Sequence, residues 1–187
     1  MLIREFYPSD IAAVKKFTDE SIGLNYYSEA ELQECLEKSI SADVTCSFLL
    51  VADSGEILGL RLAYPPGKWN KGKGSKLRPD LWNIPLDKTA YFQSLFLSNK
   101  VQGQGWGPKL SEKSIEAFHK LGALGIVTHA WKESPNNSSI RYLSKLGFQS
   151  VTTHPEYWID VDYECVRDGK PCRCTAEEMI YYISGAQ

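Results

Sequence analysis

The sequence lacks any run of about 18 consecutive apolar residues, the length at which a stretch becomes a candidate membrane-spanning helix. Residues 1–6 are too short and too charged a stretch to resemble a signal peptide. The cysteines number five, an odd count, and are scattered, which suits a reducing compartment better than a disulfide framework. We therefore expect a cytoplasmic protein that does not bind membranes.

Other absences narrow the range of partners. Cys172 and Cys174 lack a matching pair of ligands in the sequence, so we expect no metal. The net charge is −2 and no base-reading motif is present, so we expect no nucleic-acid partner. His129 and His154 are candidate bases, but neither is paired with a carboxylate in the sequence, and no Ser/His/Asp or Cys/His constellation can be assembled.

A chain of 187 residues, 43% hydrophobic and 24% charged, has the composition of a globular protein and can bury a sizeable core. It contains no internal repeat and no low-complexity segment. We therefore expect one domain spanning residues 1–187.

The apolar pattern predicts a mixture of strands and helices. Strands are expected at residues 2–7, 47–52, 57–63, 91–97, 125–130, 157–166 and 177–183. Asp10 is placed to cap a first helix, and Ser28 with Glu31 forms the capping box of a second. Thr175 and Glu178 are alternatively placed to cap a short final helix.

The most informative stretch is the glycine loop, which reads Gln102-Gly103-Gln104-Gly105-Trp106-Gly107. It follows the strand at 91–97 and precedes a helix that Pro108 is expected to open. A helix N-terminus offers free N–H groups, and glycine lets an anion approach the backbone, so the loop is a candidate pyrophosphate site. It matches neither the Walker A loop nor the dinucleotide fingerprint, and a tight turn feeding a helix is the alternative.

A second motif runs from Asn136 to Phe148. Its apolar residues recur at helical spacing, at Ile140, Leu143 and Leu146. Gly147 is a natural residue to end this helix.

In this order the two motifs resemble those of the GCN5-related N-acetyltransferase (GNAT) superfamily. In that family a Gln/Arg-x-x-Gly-x-Gly/Ala loop binds the pyrophosphate of acetyl-CoA, and an Asn followed by a helix ending in Gly-Phe comes one strand later. Residues 102–107 fit the first pattern and residues 136–148 the second. The resemblance implies an α/β fold with a mixed, mostly antiparallel central sheet flanked by helices, and it favours a strand at 177–183.

The resemblance also implies which residues bind acetyl-CoA, the expected co-substrate. The pyrophosphate would lie on Gln102, Gly103, Gln104, Gly105, Trp106 and Gly107, with Asn136 close to the cofactor. The backbones of Leu95, Phe96 and Leu97 would pair with the pantetheine arm, and N–H groups near Leu97 would polarise the thioester carbonyl.

Two candidate catalytic residues come from comparison with the family pattern. Many members carry a tyrosine four residues before the final glycine, as an acid for the CoA thiol, but that position is Leu143. Tyr142 is adjacent, rotated by about 100° around the helix, so a packing role competes with an acid role. Gln93, with Ser94, would hold a water where many members have a glutamate, or would only hydrogen-bond within the sheet.

A third candidate is Asp162. Asp160, Asp162 and Glu164 alternate with apolar residues and would share one face of the predicted strand at 157–166. That face would attract a cationic amine and supply a general base, although such a stripe is more often the wet face of a sheet.

The connection at residues 65–89 is unusually long and carries six basic and two acidic residues. Trp69 and Trp82 argue against disorder, because aromatic residues in a loop usually cover something. We expect either a lid over the acceptor or a surface loop that covers a dimer edge.

The sequence and the resemblance together predict an enzyme that transfers an acetyl group from acetyl-CoA to a primary amine, by direct attack in a ternary complex. The acceptor, a small molecule or a peptide, stays open among polyamines, aminoglycosides, arylalkylamines, amino acids and protein N-termini. The alternative functions are a CoA-binding protein of this fold without catalysis and a regulatory module that docks an acidic partner. A homodimer is compatible with the resemblance.

Overall fold

The computed structural model describes residues 1–183. Its strands are β1 (Leu2–Glu5), β2 (Ile40–Ser41), β3 (Val44–Thr45), β4 (Phe48–Val51), β5 (Ile57–Tyr64), β6 (Thr89–Leu97), β7 (Gly125–Trp131), β8 (Gln149–His154) and β9 (Ala176–Tyr182). Within the described range seven of them form one sheet, in the order β1-β4-β5-β6-β7-β9-β8, while β2 and β3 form a separate hairpin. In the large sheet every neighbouring pair is antiparallel except β6 and β7. The predicted mixed, mostly antiparallel sheet is confirmed.

The longer helices are α1 (Ile11–Ser21), α2 (Glu29–Lys38), α3 (Trp106–Lys120) and α4 (Ser138–Lys145). The capping box of α2 is present, since the Glu31 N–H donates to Ser28 Oγ at 3.2 Å and the Ser28 N–H to Glu31 Oε2 at 2.8 Å. Asp10 precedes α1, but its carboxylate accepts from the Tyr7 N–H and from Arg4 instead of capping the helix. No helix in residues 1–183 combines the length and the apolarity needed to cross a membrane.

The helices cover the two faces of the sheet. Leu60 and Leu62 of β5 belong to a buried cluster that includes Val14 of α1 and Leu32 of α2. Leu58, two residues before Leu60, packs instead with Leu110 of α3 in a separate cluster. β6 is the fourth of the seven strands, and it contacts α1 on one face of the sheet and α3 on the other.

The helix α3 begins at Trp106, so Pro108 is its third residue and not its first, which corrects the sequence expectation. The shift costs no hydrogen bond, because the first four N–H groups of a helix have no intrahelical partner. Gly105 is the residue before the helix and has a left-handed backbone, with φ of +80°.

The predicted strand at 157–166 is wrong. Residues 155–175, between β8 and β9, form turns instead of a strand. Some of their backbone hydrogen bonds are local, such as the Val161 N–H to the Trp158 carbonyl at 3.0 Å, and others reach distant residues, such as the Glu164 N–H to the Leu24 carbonyl at 3.4 Å. Buried and exposed residues still alternate along part of this segment, because its apolar residues pack into the core although the segment is a loop. The strand favoured at 177–183 is confirmed as β9, and the final helix suggested by Thr175 is absent from the described residues.

Candidate active site

The strands β6 and β7 separate along their length. Their parallel pairing ends where Phe92 faces Thr128, and there the Thr128 hydroxyl donates to the Phe92 carbonyl at 2.9 Å. Both strands continue beyond this point, β6 as far as Leu97, without pairing to each other in the described residues. The backbone of residues 93–97 therefore faces a gap in the sheet.

A β-bulge at Gln93 accounts for the gap. β5 pairs Leu62 with Ser94 and Ala63 with Phe92, so Gln93 is an extra residue in β6. A bulge bends its strand and increases the local twist. β6 therefore turns away from β7, which stays paired with β9 on its other side.

The glycine loop leads from the end of β6 into α3. A Cβ built on Gly105 would meet no protein atom within 4 Å, so open space faces the backbone there. The side-chain amides of Gln102 and Gln104 donate to the carbonyls of Leu97 and Lys100, both at 2.9 Å. These two hydrogen bonds tie the loop to the end of β6 and to the turn after it, and the N–H groups of residues 102–105 donate to no main-chain group within the described residues.

The first turn of α3 suits an anion. The N–H groups of Trp106 and Gly107 have no acceptor within the helix. Residues 106–109, all within the described range, include no acidic side chain, and Lys109 Nζ lies 4.5 Å from the centre of the Trp106 ring. The helix dipole and this lysine both favour negative charge at the same place.

Tyr142 on α4 faces the beginning of α3. A Cβ built on Gly107 would lie 3.4 Å from the Tyr142 ring and 3.5 Å from the side chains of Leu95 and Leu97. The Tyr142 hydroxyl donates to the Gly107 carbonyl at 3.1 Å and lies 2.6 Å from Ser111 Oγ. Tyr142 therefore borders both the gap beside β6 and the glycine loop.

The other residues of the second motif occupy different surroundings. Leu143, at the position where the family pattern has tyrosine, is buried against the sheet. Asn136 is exposed just before α4, with φ of +54°, and its carbonyl accepts from Arg141 at 3.5 Å. The tyrosine of this chain therefore stands one position before that of the family pattern, and its hydroxyl still faces α3.

A buried arginine supports the Tyr142 contact. Arg61 of β5 is 2% exposed, and its Nε and Nη2 donate to Ser111 Oγ at 3.1 and 2.6 Å. Its guanidinium also lies 4.0 Å from the centre of the Phe92 ring. Because Ser111 Oγ accepts from Arg61, the serine proton is directed at Tyr142. Burial lowers the pKa of Arg61 from its usual value, but an arginine remains charged.

A cavity of about 590 Å³ lies on the other side of β6, between α2 and residues 65–88. We call it the α2 cavity, and its lining includes Tyr27, Glu31, Cys35, Trp69, Lys73 and Gln93. A second cavity, of about 550 Å³, lies against α1 and is lined by Leu97 and Gln102. The α2 cavity reaches β6 at the bulge, where the gap to β7 begins.

Tyr27 is the residue in this cavity that sequence reasoning missed. Its hydroxyl accepts from Gln93 Nε2 at 3.3 Å and lies 2.8 Å from Ser94 Oγ, although 66 residues separate it from Gln93. Gln93 and Ser94, expected to hold a water, hold this hydroxyl instead. Burial raises the pKa of Tyr27 well above its usual value, so the hydroxyl stays neutral near pH 7.

The α2 cavity has a surplus of positive charge. Lys73 Nζ lies 2.5 Å from Glu31 Oε1 and 4.5 Å from the centre of the Tyr27 ring. Burial alone would raise the pKa of Glu31, but the hydrogen bond from Lys73 lowers it below the usual value. Lys68 and Lys71 also line the cavity, and neither is in an ion pair within residues 1–183.

Residues 65–88, which we call the basic segment, are packed against the sheet. Trp69 and Trp82 are buried, and Trp69 Nε1 donates to the Thr89 carbonyl at 2.7 Å. Lys76 Nζ donates to the Pro155 carbonyl at 2.5 Å. The segment thus forms one wall of the α2 cavity, as the lid hypothesis requires.

A buried carboxylate of the sheet anchors the basic segment through hydrogen bonds. Glu178 of β9 is fully buried, accepts from Trp82 Nε1 at 2.6 Å and from the Arg78 N–H at 3.1 Å, and has His154 Nε2 at 2.7 Å. Burial would raise the pKa of Glu178, but contacts from His129, His154 and Trp82 outweigh it and lower that pKa to about 2. The two histidines proposed as bases therefore support this carboxylate.

His129 is unsuited to accept a proton in this position. It lies at 3.5 Å from Glu178 through Nε2 and at 2.7 Å from the Tyr91 hydroxyl through Nδ1, and it stacks on Tyr157. Burial lowers its pKa from the usual value in spite of the nearby carboxylate.

Asp162 lies apart from the gap and the cavity. It belongs to the loop between β8 and β9, its side chain is 83% exposed, and it pairs with Lys170. Because the segment is not a strand, the carboxylate face expected with Asp160 and Glu164 does not form as part of the sheet.

The expectation that no metal is bound rested on the sequence around Cys172 and Cys174, and the fold adds two nearby donors. Cys172 and Cys174 do have a second pair of donors, since the loop brings Cys165 and Asp168 beside them. The donor atoms of the four residues all lie within 4.8 Å of one another.

The sequence matches the model of the Acetyltransferase (GNAT) family over residues 14–148, which is most of the chain. Comparison with curated proteins gives no match. The match begins in α1 and ends just after α4, so it includes the glycine loop and both strands that separate beside it.

Solved structures share the fold over nearly the whole chain. NAA60 from Arabidopsis thaliana, in complex with acetyl-CoA, has a TM-score of 0.72 at 16% identity, covering 98% of this chain and 99% of that one. The ribosomal-protein-S18-alanine N-acetyltransferase from Escherichia coli has a TM-score of 0.68 at 18% identity, covering 100% and 96%.

A phosphinothricin acetyltransferase from Sinorhizobium meliloti, also in complex with acetyl-CoA, has a TM-score of 0.67 at 17% identity, covering 97% of this chain and 88% of that one. These identities establish the fold, and the family match over residues 14–148 establishes the relationship. The chain therefore belongs to the acetyltransferase (GNAT) family.

Proposed function

We propose that the protein is an N-acetyltransferase that transfers the acetyl group of acetyl-CoA to a primary amine, by direct attack within a ternary complex. The observation that carries this proposal is the continuity of three features around β6. The N-terminus of α3 suits a pyrophosphate, the gap after Phe92 suits an extended pantetheine arm, and the α2 cavity opens at the same bulge. Two solved structures of the same fold hold acetyl-CoA.

In this proposal the cofactor is bound mainly by backbone. The N–H groups of residues 102–107 hold the pyrophosphate, with Asn136 at the edge of the site. Residues 95–97 pair with β5 on one edge, and their other edge, beyond the end of the pairing with β7, hydrogen-bonds the pantetheine arm as a strand would. Backbone N–H groups near Leu97 polarise the thioester carbonyl as the amine attacks.

The amine must lose a proton before or during attack. An alkylammonium ion with pKa about 10.4 lies roughly three units above neutral pH, which costs about 4 kcal/mol. β6 carries no carboxylate to accept that proton. Solvent water therefore accepts the proton of the ammonium ion, and the proton that the nitrogen loses on attack leaves with CoA as its thiol. We assign Gln93 a positioning role, because it holds the Tyr27 hydroxyl at the wall of the cavity. We do not include Asp162, since its side chain is 83% exposed, pairs with Lys170 and does not line the α2 cavity.

We propose that the Tyr142 hydroxyl donates a hydrogen bond to the CoA sulfur as the thiolate departs. Its ring lies beside Leu95 and Leu97, where the thioester would end. The chain of contacts from Arg61 through Ser111 to Tyr142 places a buried positive charge behind that hydroxyl. Such a charge stabilises negative charge developing on the sulfur.

The surplus of lysine in the α2 cavity favours an acceptor that carries an anionic group as well as an amine. Lys68 and Lys71 line the entrance and have no carboxylate partner within residues 1–183. An amino acid and a peptide N-terminus beside an acidic side chain both meet this description. The Escherichia coli enzyme of the same fold is named for a ribosomal protein, so a peptide acceptor is compatible with the fold.

The test measures release of the CoA thiol with pairs of acceptor amines. Each pair consists of an amino acid and its carboxamide, in which the carboxylate charge is removed. We expect release with at least one amine and a higher kcat/KM for the acid than for its amide. If CoA binds but no amine in a panel of amino acids, peptides, polyamines, aminoglycosides and arylalkylamines gives thiol, the non-catalytic CoA-binding alternative replaces this proposal.

A further inference from the structure

The loop between β8 and β9 contains a compact turn at residues 165–169. The Cys165 N–H donates to the Gly169 carbonyl at 2.8 Å, and the Gly169 N–H donates back to the Cys165 carbonyl at 2.9 Å. Gly169 has φ of +71°, a left-handed value that closes the turn without strain. This turn places the side chains of Cys165 and Asp168 on the same side as Cys172 and Cys174.

The spacing of the donor atoms fits a tetrahedral metal ion. Cys165 Sγ and Cys174 Sγ are 3.9 Å apart, and Cys174 Sγ is 3.3 Å from Asp168 Oδ2. A tetrahedral zinc ion with Zn–S bonds of about 2.3 Å separates its sulfur ligands by about 3.8 Å. A disulfide needs the two sulfurs at about 2.05 Å, so these cysteines are free thiols at a spacing that a metal ion can bridge.

The surroundings also fit a buried ion with thiolate ligands. Cys165, Cys172 and Cys174 are at most 5% exposed, so no solvent reaches three adjacent sulfurs. Arg167 Nη1 lies 3.8 Å from Cys174 Sγ, and the Arg173 N–H donates to Asp168 Oδ2 at 3.0 Å. Three thiolates and one carboxylate exceed the charge of a divalent ion; the Arg167 guanidinium offsets part of the excess, and the Arg173 N–H hydrogen-bonds the carboxylate.

We propose that Cys165, Asp168, Cys172 and Cys174 bind one structural Zn²⁺. Soft thiolate ligands favour zinc over magnesium or calcium, and four protein ligands close the coordination sphere, which is typical of structural sites. The site lies outside residues 14–148 and does not depend on the proposed acetyl transfer.

The ion would fix the loop against the wall of the α2 cavity. Tyr163 donates its hydroxyl to Cys172 Sγ at 3.1 Å and packs edge-on against Tyr26, with ring centres 4.8 Å apart. Tyr26 in turn packs edge-on against Tyr27 at 4.9 Å. A metal at the cysteines thus holds the aromatic row that positions the Tyr27 hydroxyl beside Gln93.

The first test measures zinc by mass spectrometry in the full-length protein purified under reducing conditions. We expect about one Zn²⁺ per chain, loss of most of it in Cys172→Ser, and full retention in Cys46→Ala. Cys46 is also fully buried but lies in a different cluster, against α3 and β6 residues, so its variant controls for loss of a buried thiol. Protein that lacks zinc and binds none on titration, or a disulfide among the three cysteines, overturns the proposal.

The second test keeps the proposal testable if Cys172→Ser fails to fold. It substitutes Asp168, the exposed ligand, and uses Co²⁺ as a spectroscopic probe. Co²⁺ in the wild-type site should give the visible bands of a tetrahedral ion with three thiolate ligands. Asp168→Cys should increase the thiolate-to-cobalt absorption by about one third and tighten zinc about tenfold or more, while Asp168→Ala weakens it. Spectra that do not change with Asp168→Cys contradict the four-ligand site.

Discussion

The glycine loop and the α2 cavity lie at opposite ends of the same stretch of β6, yet they are built by different means. The loop is made of backbone N–H groups, two glutamine amides and a helix N-terminus, all within residues 97–107. The α2 cavity is made of side chains from α2, the basic segment and β6, with Glu178 of β9 below it. One site depends on local conformation, and the other depends on long-range packing.

This difference determines what each site tolerates. A backbone site is insensitive to most side-chain changes but sensitive to a Cβ where the ligand must approach. A side-chain site can change specificity through single substitutions, but it loses its shape when its support is removed. Substitutions at the two sites should therefore have different consequences for stability, CoA affinity and turnover.

Removing the support of the basic segment should have the largest effect. Glu178→Ala leaves Trp82 Nε1, the Arg78 N–H and His154 without their shared acceptor inside the protein. We expect the free energy of unfolding to fall by about 3 kcal/mol, because breaking a buried charged network leaves its partners unsatisfied. Chemical denaturation measures this. A loss below about 1 kcal/mol would mean that the network does not hold the segment.

The same carboxylate predicts a pH dependence. The pKa of Glu178 is lowered to about 2 in the folded protein, whereas an unfolded glutamate has a pKa of about 4.3. Its contribution to stability is therefore fully present above about pH 4.3 and is lost as the pH falls toward 2. The stability difference between wild type and Glu178→Gln should shrink over this window. A difference that stays constant from pH 6 to pH 2.5 contradicts the lowered pKa.

A side chain at Gly105 should weaken CoA binding by about 100-fold, or roughly 2.7 kcal/mol. The Cβ of Gly105→Val would enter the open space where the pyrophosphate is proposed to lie. Gly122→Val is the matched control, since Gly122 has φ of +70°, also faces open space, and lies at the other end of α3. Calorimetry should find CoA affinity unchanged in the control. Equal losses in both variants would point to backbone strain as the cause.

Loss of the Tyr142 hydroxyl should have a smaller effect, confined to the chemical step. Tyr142→Phe should lower kcat about tenfold and leave the dissociation constant of CoA within about twofold, because only the departing sulfur gains from the hydroxyl. Ser111→Ala should lower kcat in the same direction and by less, since it removes the link to Arg61. Steady-state thiol release measures both. If Tyr142→Phe kept the kcat of the wild type, the hydroxyl would have no role in the chemical step and Tyr142 would serve only in packing.

The sequence was sufficient to predict the features that depend on neighbouring residues. The glycine loop and the capping box of α2 follow from short-range backbone rules, and the strand leading into the loop follows from its apolar pattern. The sheet type was predicted through the family resemblance, which the match over residues 14–148 confirms.

The features that were missed depend on residues far apart in the chain. The contact of Tyr27 with Gln93 spans 66 residues and that of Trp82 with Glu178 spans 96, and neither has a periodic signal. The false strand at 157–166 had an alternating pattern, but inward packing of Tyr163 and Cys165 in a loop produces the same pattern. The grouping of Cys172 and Cys174 with Cys165 and Asp168 comes from the turns of the loop, and the spacing of these residues matches none of the common zinc motifs.

The proposed acetyl transfer requires that main-chain N–H groups at the beginning of α3 hold the pyrophosphate of acetyl-CoA. A crystal structure of the protein with acetyl-CoA tests it most directly. We predict pyrophosphate oxygens within hydrogen-bonding distance of the N–H groups in residues 102–107, with the thioester beside Leu97 and Tyr142. Density for the pyrophosphate at any other place on the protein, with the glycine loop empty, would contradict the account.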